Sequence, residues 1–156
     1  MTVQDELGHV NDYVTIQRIR FDNRFHLDLD ISSEYLDNKV LKLILQPLVE
    51  NALYHGLNYC TTGDTITIRA YTENNCLMID VHDNGQGMDI ETLTKLQSSL
   101  MEEASFTELG HRNKQSIGLK NIHSRIELYY GKGYGLTVTS IHGKWTNIQI
   151  RLPILK

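Results

Sequence analysis

"LILQPLVENALYHG", Leu43 to Gly56, is mostly apolar and reads as one helix, yet Gln46, Glu50, Asn51 and His55 interrupt it. A buried amide left without a partner costs roughly 1–3 kcal/mol, so a helix built this way needs something polar opposite it. Asn51 and His55 stand one helical turn apart and share a face. An amide oxygen beside the Glu50 carboxylate offers hard oxygen donors of the kind Mg²⁺ accepts, directly or through its outer sphere. Taken alone, the group reads as a satisfied polar network at a helix edge, and its meaning depends on what the rest of the chain places around it.

Working outward, the spacing predicts a helix from about Asn38 to Gly56, with Gly56 as its C-terminal cap. Upstream, "RFHLDLDIS" alternates Phe25, Leu27, Leu29 and Ile31 against His26, Asp28 and Asp30, the period of a strand with one wet face. Before it, Val3, Leu7, Val10, Val14 and Phe21 make a helical stripe. Such a stripe fits either a core-packing helix or one member of a dimerising pair. Downstream, "TITIRAYTENNCLMIDVHDNG" reads as two strands around a turn at Glu73 to Asn75, ending at Asp83. Asp89 is placed to cap a helix carrying Ile90, Leu93, Leu96 and Leu100.

Residues 102–116 lose all periodicity, and a loop of that length reads as a functional lid or as a disordered segment. A further helix is expected from about Ile117 to Tyr130, stopped by Gly131, Gly133 and Gly135. "LTVTSI" and "TNIQIRLPI" then form a second hairpin turning at His142 to Lys144, with Pro153 at a tolerated strand end. Hairpins without regular βαβ alternation predict an α+β fold: a two-layer sandwich, a mixed sheet with helices on one face, preceded by an N-terminal helix.

The 156 residues suit one compact core, and 40% hydrophobic with 22% charged residues is ordinary for a globular domain. A net charge of −4 without a Lys/Arg cluster argues against nucleic acid as a partner. The apolar run from Val40 to Leu53 is broken by Lys42, Gln46 and Glu50, so it does not span a bilayer. Cys60 and Cys76 lack CxxC spacing and suggest a reducing, cytosolic setting without zinc.

Neither GxxxxGK[ST] nor GxGxxG occurs, so a nucleotide would be held another way. "DVHDNGQGM" ends a strand at Asp83, an acceptor suited to an exocyclic amine, and Gly85 and Gly87 let a flat ring approach the main chain. In isolation it is equally a strand-to-helix turn. In "SIGLKNIHSRIELYYG", Gly118 is expected to open a helix whose free N–H groups suit phosphate, with Lys114, Lys120 or Arg125 adding charge.

In this order and spacing, "LQPLVENALYHG", "DNGQGM" and "IGLKNIHSRIELYYG" resemble the N, G1 and G2 boxes of sensor histidine kinases, whose ATP-binding (Bergerat, or GHKL) fold is shared with gyrase, Hsp90 and MutL. "LQPLVENA" followed by "HG", with "YVTIQRIRF" upstream, is similar to the LytS/YesM-type branch, and the resemblance runs from about Tyr13 to Leu155. It implies that Asn51 coordinates Mg²⁺ on the ATP phosphates and that His55 reaches them. It implies too that Asp83 reads the adenine amine with Gly85 and Gly87 beside the ring, that 102–116 is an ATP lid, and that Gly118 and Leu119 sit at the phosphate end.

Three departures stand out. Tyr54 occupies the position where many members place Lys, leaving that phosphate contact open. Ser116 stands where the G2 box usually begins with Gly. Pro47 replaces the basic Glu of related ATPases, and the adjacent Glu50 is then a base or a group of the Mg²⁺ shell. The branch carries its phosphoacceptor in a "PHFLYN"-like box, and none of the seven His has that context; His9 reads as solvated.

The resemblance therefore implies residues 1–22 as the remnant of a dimerisation helix and connector, and 23–156 as the catalytic and ATP-binding domain of a protein-histidine kinase. Its partners would be its own dimerisation and phosphoacceptor domain, a second copy in the full-length protein, and a response regulator. It would be the cytoplasmic part of a bacterial integral membrane protein. The alternatives are a GHKL-fold ATPase or Ser/Thr kinase, or a nucleotide-binding regulatory module without kinase activity.

Overall fold

Alternating apolar residues dictate a sheet with one buried face, and the computed structural model, which describes residues 1–20, 25–56, 64–101 and 114–155, has it. Helix α1 (Val3–Arg20) precedes strand β1 (Phe25–Asp30). A 3-10 turn at Ser33–Tyr35 leads to helix α2 (Leu45–Asn51), which continues as a π-turn over Ala52–Gly56. Strands β2 (Asp64–Glu73) and β3 (Cys76–Asp83), helices α3 (Ile90–Met101) and α4 (Lys114–Tyr130), and strands β4 (Gly135–Ile141) and β5 (Trp145–Pro153) complete the order. The sheet runs β1-β2-β3-β5-β4, with β1 parallel to β2 and the other pairs antiparallel. This is the expected mixed sheet of an α+β sandwich.

Register decides which residues face the helices. Ile68 pairs with Val81, which pairs with Ile148, which pairs with Val138, and all four are buried. The next inward row is Ala70, Ile79, Ile150 and Leu136. Asp83 belongs to the same face, opposite Ile66 and Thr146, so this carboxylate ends its strand beneath the helices and not in solvent. Thr67, Arg69, Asp80, His82 and Asn147 occupy the other face around an open cavity.

The hairpin turns follow the sequence. Asn74 and Asn75 both take positive φ, 51° and 62°, the left-handed pair that a two-residue hairpin loop requires. His123 on α4 fastens the helix to β4: its Nδ1 accepts the Leu136 N–H at 2.9 Å, and its Nε2 lies 3.4 Å from the Glu127 carboxylate. Burial lowers the pKa of this imidazole, consistent with a neutral ring accepting at Nδ1.

Two helix boundaries differ from expectation. The helix predicted from Asn38 begins at Leu45, because residues 38–40 are tied to the chain start, with Val3 N–H donating to the Asn38 carbonyl at 3.0 Å and Val40 N–H to that of Met1 at 2.9 Å. Leu43 then takes φ 58°, which no helix continues through. The helix expected from Ile117 begins earlier, at Lys114, so residues 114–116 belong to α4, and the remainder of the expected lid, 102–113, lies outside the described residues.

α1 is part of the same core. Val3, Leu7, Val10 and Val14 are buried together with Leu45, Leu48 and Val49 of α2, whereas Ile16 and Ile19 are exposed. Phe21, the last residue of the predicted stripe, lies outside the described residues. Among the described residues no helix is long and apolar enough to cross a membrane.

Candidate functional site

Each of the three motifs ends on the helix-covered side of the sheet. Asn51 closes α2, half-buried, and its side chain has no hydrogen-bond partner among the described residues. Glu50 is half-buried too, its Oε1 accepting from Gln46 Nε2 at 3.1 Å one turn back. After Asn51 the helix widens into the π-turn, a distortion frequent at functional sites, and the backbone of His55 lies within it. The His55 side chain is outside the described residues.

Asp83 is only 2% exposed. Its Oδ1 accepts the Gly85 N–H at 3.0 Å, which closes the turn after β3. Burial raises its pKa to about 6, with the Gly85 N–H opposing and the charge of Asp64 reinforcing the shift. One oxygen of this buried carboxylate is thus engaged by its own turn.

Gly87 has a reason of its own. Its φ is 67°, and a Cβ there would collide with the Ile141 carbonyl of the β4–β5 hairpin, which is anchored nearby by Gly143 N–H donating to the Gln86 carbonyl at 2.6 Å. Met88 N–H donates to Ser140 Oγ at 2.8 Å in the same contact, and Thr92 N–H finds the expected cap at Asp89 Oδ1, 2.8 Å away. Strain and collision together set the cost of a methyl here at about 2–3 kcal/mol, so Gly87→Ala should lower Tm by roughly 5–10 °C in a thermal melt. An unchanged Tm would mean that the hairpin moves aside freely.

Gly118 does not open α4, since the helix begins at Lys114; it lies one turn in, exposed, with nothing within 4 Å of where a Cβ would stand. Leu119 beside it is 2% exposed and its side chain belongs to the core. Of the candidate cations, Lys120 is buried and donates to the Leu100 carbonyl at the end of α3, and Arg125 donates to the carbonyls of Lys42 and Leu43. The Lys114 side chain lies outside the described residues. Tyr54, at the position where Lys was expected, accepts from Arg20 at 3.0 Å and donates to Gln17 at 3.3 Å, both on α1.

Residues 36–156 match the model of the histidine kinase-, DNA gyrase B- and HSP90-like ATPases, HATPase_c. The chain belongs to this family. Among curated relatives, the chain is 39% identical over 153 residues to sensor histidine kinase YesM of Bacillus subtilis, covering 98% of this chain and 24% of that protein. It is 32% identical over 152 residues to sensor protein kinase HptS of Staphylococcus aureus, covering 97% of this chain and 28% of that protein. The chain thus spans about a quarter of the length of these relatives. The fold is similar to the histidine kinase domain from the Erythrobacter litoralis blue-light activated histidine kinase, with a TM-score of 0.63 at 17% identity, over 99% of this chain and 66% of that one.

The likeness to the YesM-type branch, drawn from three short motifs, therefore extends over nearly the whole chain. Sequence reasoning missed Glu6, and read Arg125 as a phosphate cation where the structure has it holding the carbonyls of the turn before α2. No local signal marks them, because both act on a turn far away in sequence.

Proposed function

We propose that this chain is the ATP-binding catalytic domain of a two-component sensor histidine kinase, transferring the γ-phosphoryl group of Mg-ATP to a histidine on a dimerisation segment. The observation that carries the reading is Asp83: a carboxylate buried at a strand end under the helices, followed at once by a glycine-rich turn, in a chain of this ATPase family. In the proposed complex Asp83 accepts from the adenine amine, Gly85 leaves room for the ring, and the phosphates lie between Asn51 and α4 near Gly118, one turn into that helix. His55 reaches toward them.

The donor set fits Mg²⁺. Among the described residues the Asn51 amide has no hydrogen-bond partner, and no three His, Cys, Asp or Glu side chains gather to hold a cation without help. Mg²⁺ is commonly held by one or two protein oxygens plus substrate phosphates, which is the arrangement Asn51 would join. When bound, the ion neutralises phosphate charge. Chemically, the bond from the γ-phosphorus to the ADP oxygen breaks as a bond to an imidazole nitrogen forms; ADP leaves and the imidazole proton passes to solvent or a base. Glu50 is the candidate base, although its hydrogen bond to Gln46 first holds it in place. The protein's part is positioning and charge complementarity. The dimerisation segment, a second copy and a response regulator are the proposed partners, in a membrane-anchored bacterial sensor whose kinase domain faces the cytoplasm.

Calorimetry tests the metal role. Asn51→Ala should weaken Mg-ATP binding about tenfold, because one of the few protein oxygens on the ion is lost, while metal-free ATP binding changes little. Equal losses with and without Mg²⁺ would remove Asn51 from this role, and failure of the parent chain to bind ATP at all would overturn the function.

A further inference from the structure

α2 begins without a cap of its own. The residue before it, Ile44, has helical φ and ψ and no side-chain oxygen, although the first N–H groups of any helix need acceptors. The acceptor comes from another helix. Glu6 of α1 is 1% exposed; its Oε1 accepts from Ile44 N–H at 2.7 Å and Leu45 N–H at 3.3 Å, and its Oε2 from Leu43 N–H at 3.2 Å. The carbonyls of the same turn are taken from the opposite side, where Arg125 of α4 donates to Lys42 and Leu43. A turn bent to positive φ at Leu43 is thus held between α1 and α4.

A second tie lies at the far end. Gln17 and Arg20 of α1 meet the Tyr54 hydroxyl, three residues beyond Asn51, and the Arg20 guanidinium stands 5.8 Å from the Tyr54 ring centroid. Partial burial, with the charges of Tyr54 and Glu50 nearby, raises the pKa of the Tyr13 phenol between these ties. The ties join Glu6 to the start of α2, and Gln17 and Arg20 to the π-turn that follows it, so α1 is linked to the segment at both ends.

We propose that Glu6 is a positioning residue for the nucleotide site: it caps α2 from the neighbouring helix and, with the tie at Tyr54, makes the direction and register of the Asn51-bearing helix depend on where α1 lies. The inference rests on the assignment of Asn51 to Mg-ATP. Of the two ties, the buried carboxylate dominates, because exposed contacts such as Arg20 to Tyr54 contribute little against solvent and side-chain entropy. Movement of α1 would accordingly reach Asn51 through the 42–45 turn, and α4 would feel it through Arg125. The same contacts explain why a tyrosine stands at position 54: it serves α1.

The test uses the whole chain and the variants Glu6→Gln and Glu6→Ala. Gln keeps one acceptor for Ile44 and Leu45 but turns an amide donor toward Leu43 N–H, whereas Ala removes all three bonds. Mg-ATP affinity should fall in the order parent, Gln, Ala, with about a tenfold loss for Ala, since small misplacements of a binding group are costly. Metal-free ATP affinity should fall less. If Glu6→Ala folds cooperatively, melts lower, and keeps Mg-ATP affinity within about twofold of the parent, Glu6 is structural only and the inference is overturned. If the parent binds no Mg-ATP, the proposed function fails instead. Hydrogen exchange on nucleotide-free protein decides the matter should Glu6→Ala not fold. In the parent, the amides of Leu43, Ile44 and Leu45 should open together with α1, and in Glu6→Gln the Leu43 amide should exchange at least about tenfold faster. Opening of α1 that leaves those amides protected would refute the clamp.

Discussion

At pH 8, Asp83→Asn is expected to melt several degrees above the parent chain and to bind ATP about 100-fold more weakly. The first effect follows from burial. Asp83 is 2% exposed and its pKa is raised from 3.8 to about 6, chiefly by loss of solvent. Between those values the folded state holds more protons than the unfolded state, so stability falls as pH rises through the window, and above about 6 the full cost is present. A shift of that size corresponds to a cost on the order of 3 kcal/mol, part of which a neutral amide of the same shape avoids. The Tm gain should therefore shrink as pH falls through 6 and vanish below about 4, where the parent is protonated in both states. The second effect follows from the same residue's proposed task. An amide can turn a donor toward the adenine amine, and losing a charged acceptor in a buried site is worth about two to three kcal/mol. ATP and GTP should then bind about equally poorly. Melts at pH 8 and pH 4 and calorimetry with both nucleotides check this: an Asn variant no more stable at pH 8 would contradict the cost of the buried charge, and a retained preference for ATP would remove Asp83 from adenine recognition.

That pairing of a costly group with a proposed binding role was only half legible in the sequence. The alternation of "CLMIDVHD" put Asp83 at a strand end, and period two put it on the face of Leu77, Ile79 and Val81. What places helices over that face is long-range packing, which periodicity does not report. The hairpins were legible because their turns are local chemistry: paired asparagines at 74 and 75, and Gly143 at φ 80°. The start of α2 was not, because apolar spacing continues smoothly through Val40, Leu41 and Leu43 while the backbone breaks at Leu43. The break is supported by Glu6 and Arg125, 37 and 82 residues away in sequence. Helix-start signals are sought in adjacent residues, and a cap supplied by another helix leaves none.

The same limit applies to the site. Asn51, Asp83 and Gly118 were singled out as candidates because each lies in a short motif. The reason for Gly87 was read as space for a ring, yet the contact its missing Cβ permits is with the Ile141 carbonyl, on a hairpin more than fifty residues downstream. A glycine's neighbour across the fold is invisible until the strands are paired. Tyr54 was read as a missing phosphate contact, and its partners on α1 show what occupies it.

Incubated alone with γ-labelled ATP and Mg²⁺, the chain is expected, on the proposed function, to bind nucleotide and remain unlabelled, and to label a separately supplied segment carrying the proposed phosphoacceptor on histidine. None of its seven histidines stands in a "PHFLYN"-like context. His123 is further disqualified as an acceptor by its structure, since its Nδ1 already accepts the Leu136 N–H and its Nε2 faces Glu127. His82 packs against Trp145 on the sheet face opposite Asp83, on the wrong side of the sheet from the proposed nucleotide. Transfer to the separate segment should be slow, because supplying the acceptor in trans forfeits an effective concentration that short tethers hold in the mM range. Raising the segment concentration toward that range should therefore raise the rate in proportion. The label should be acid-labile and base-stable, as expected of a phosphorus–nitrogen bond, and Asn51→Ala should slow its appearance at subsaturating Mg-ATP. Label of that kind on His9, or on any other histidine of the isolated chain, would contradict the reading of the acceptor as lying elsewhere; acid-stable label on the added segment would point to a Ser/Thr kinase of the same fold.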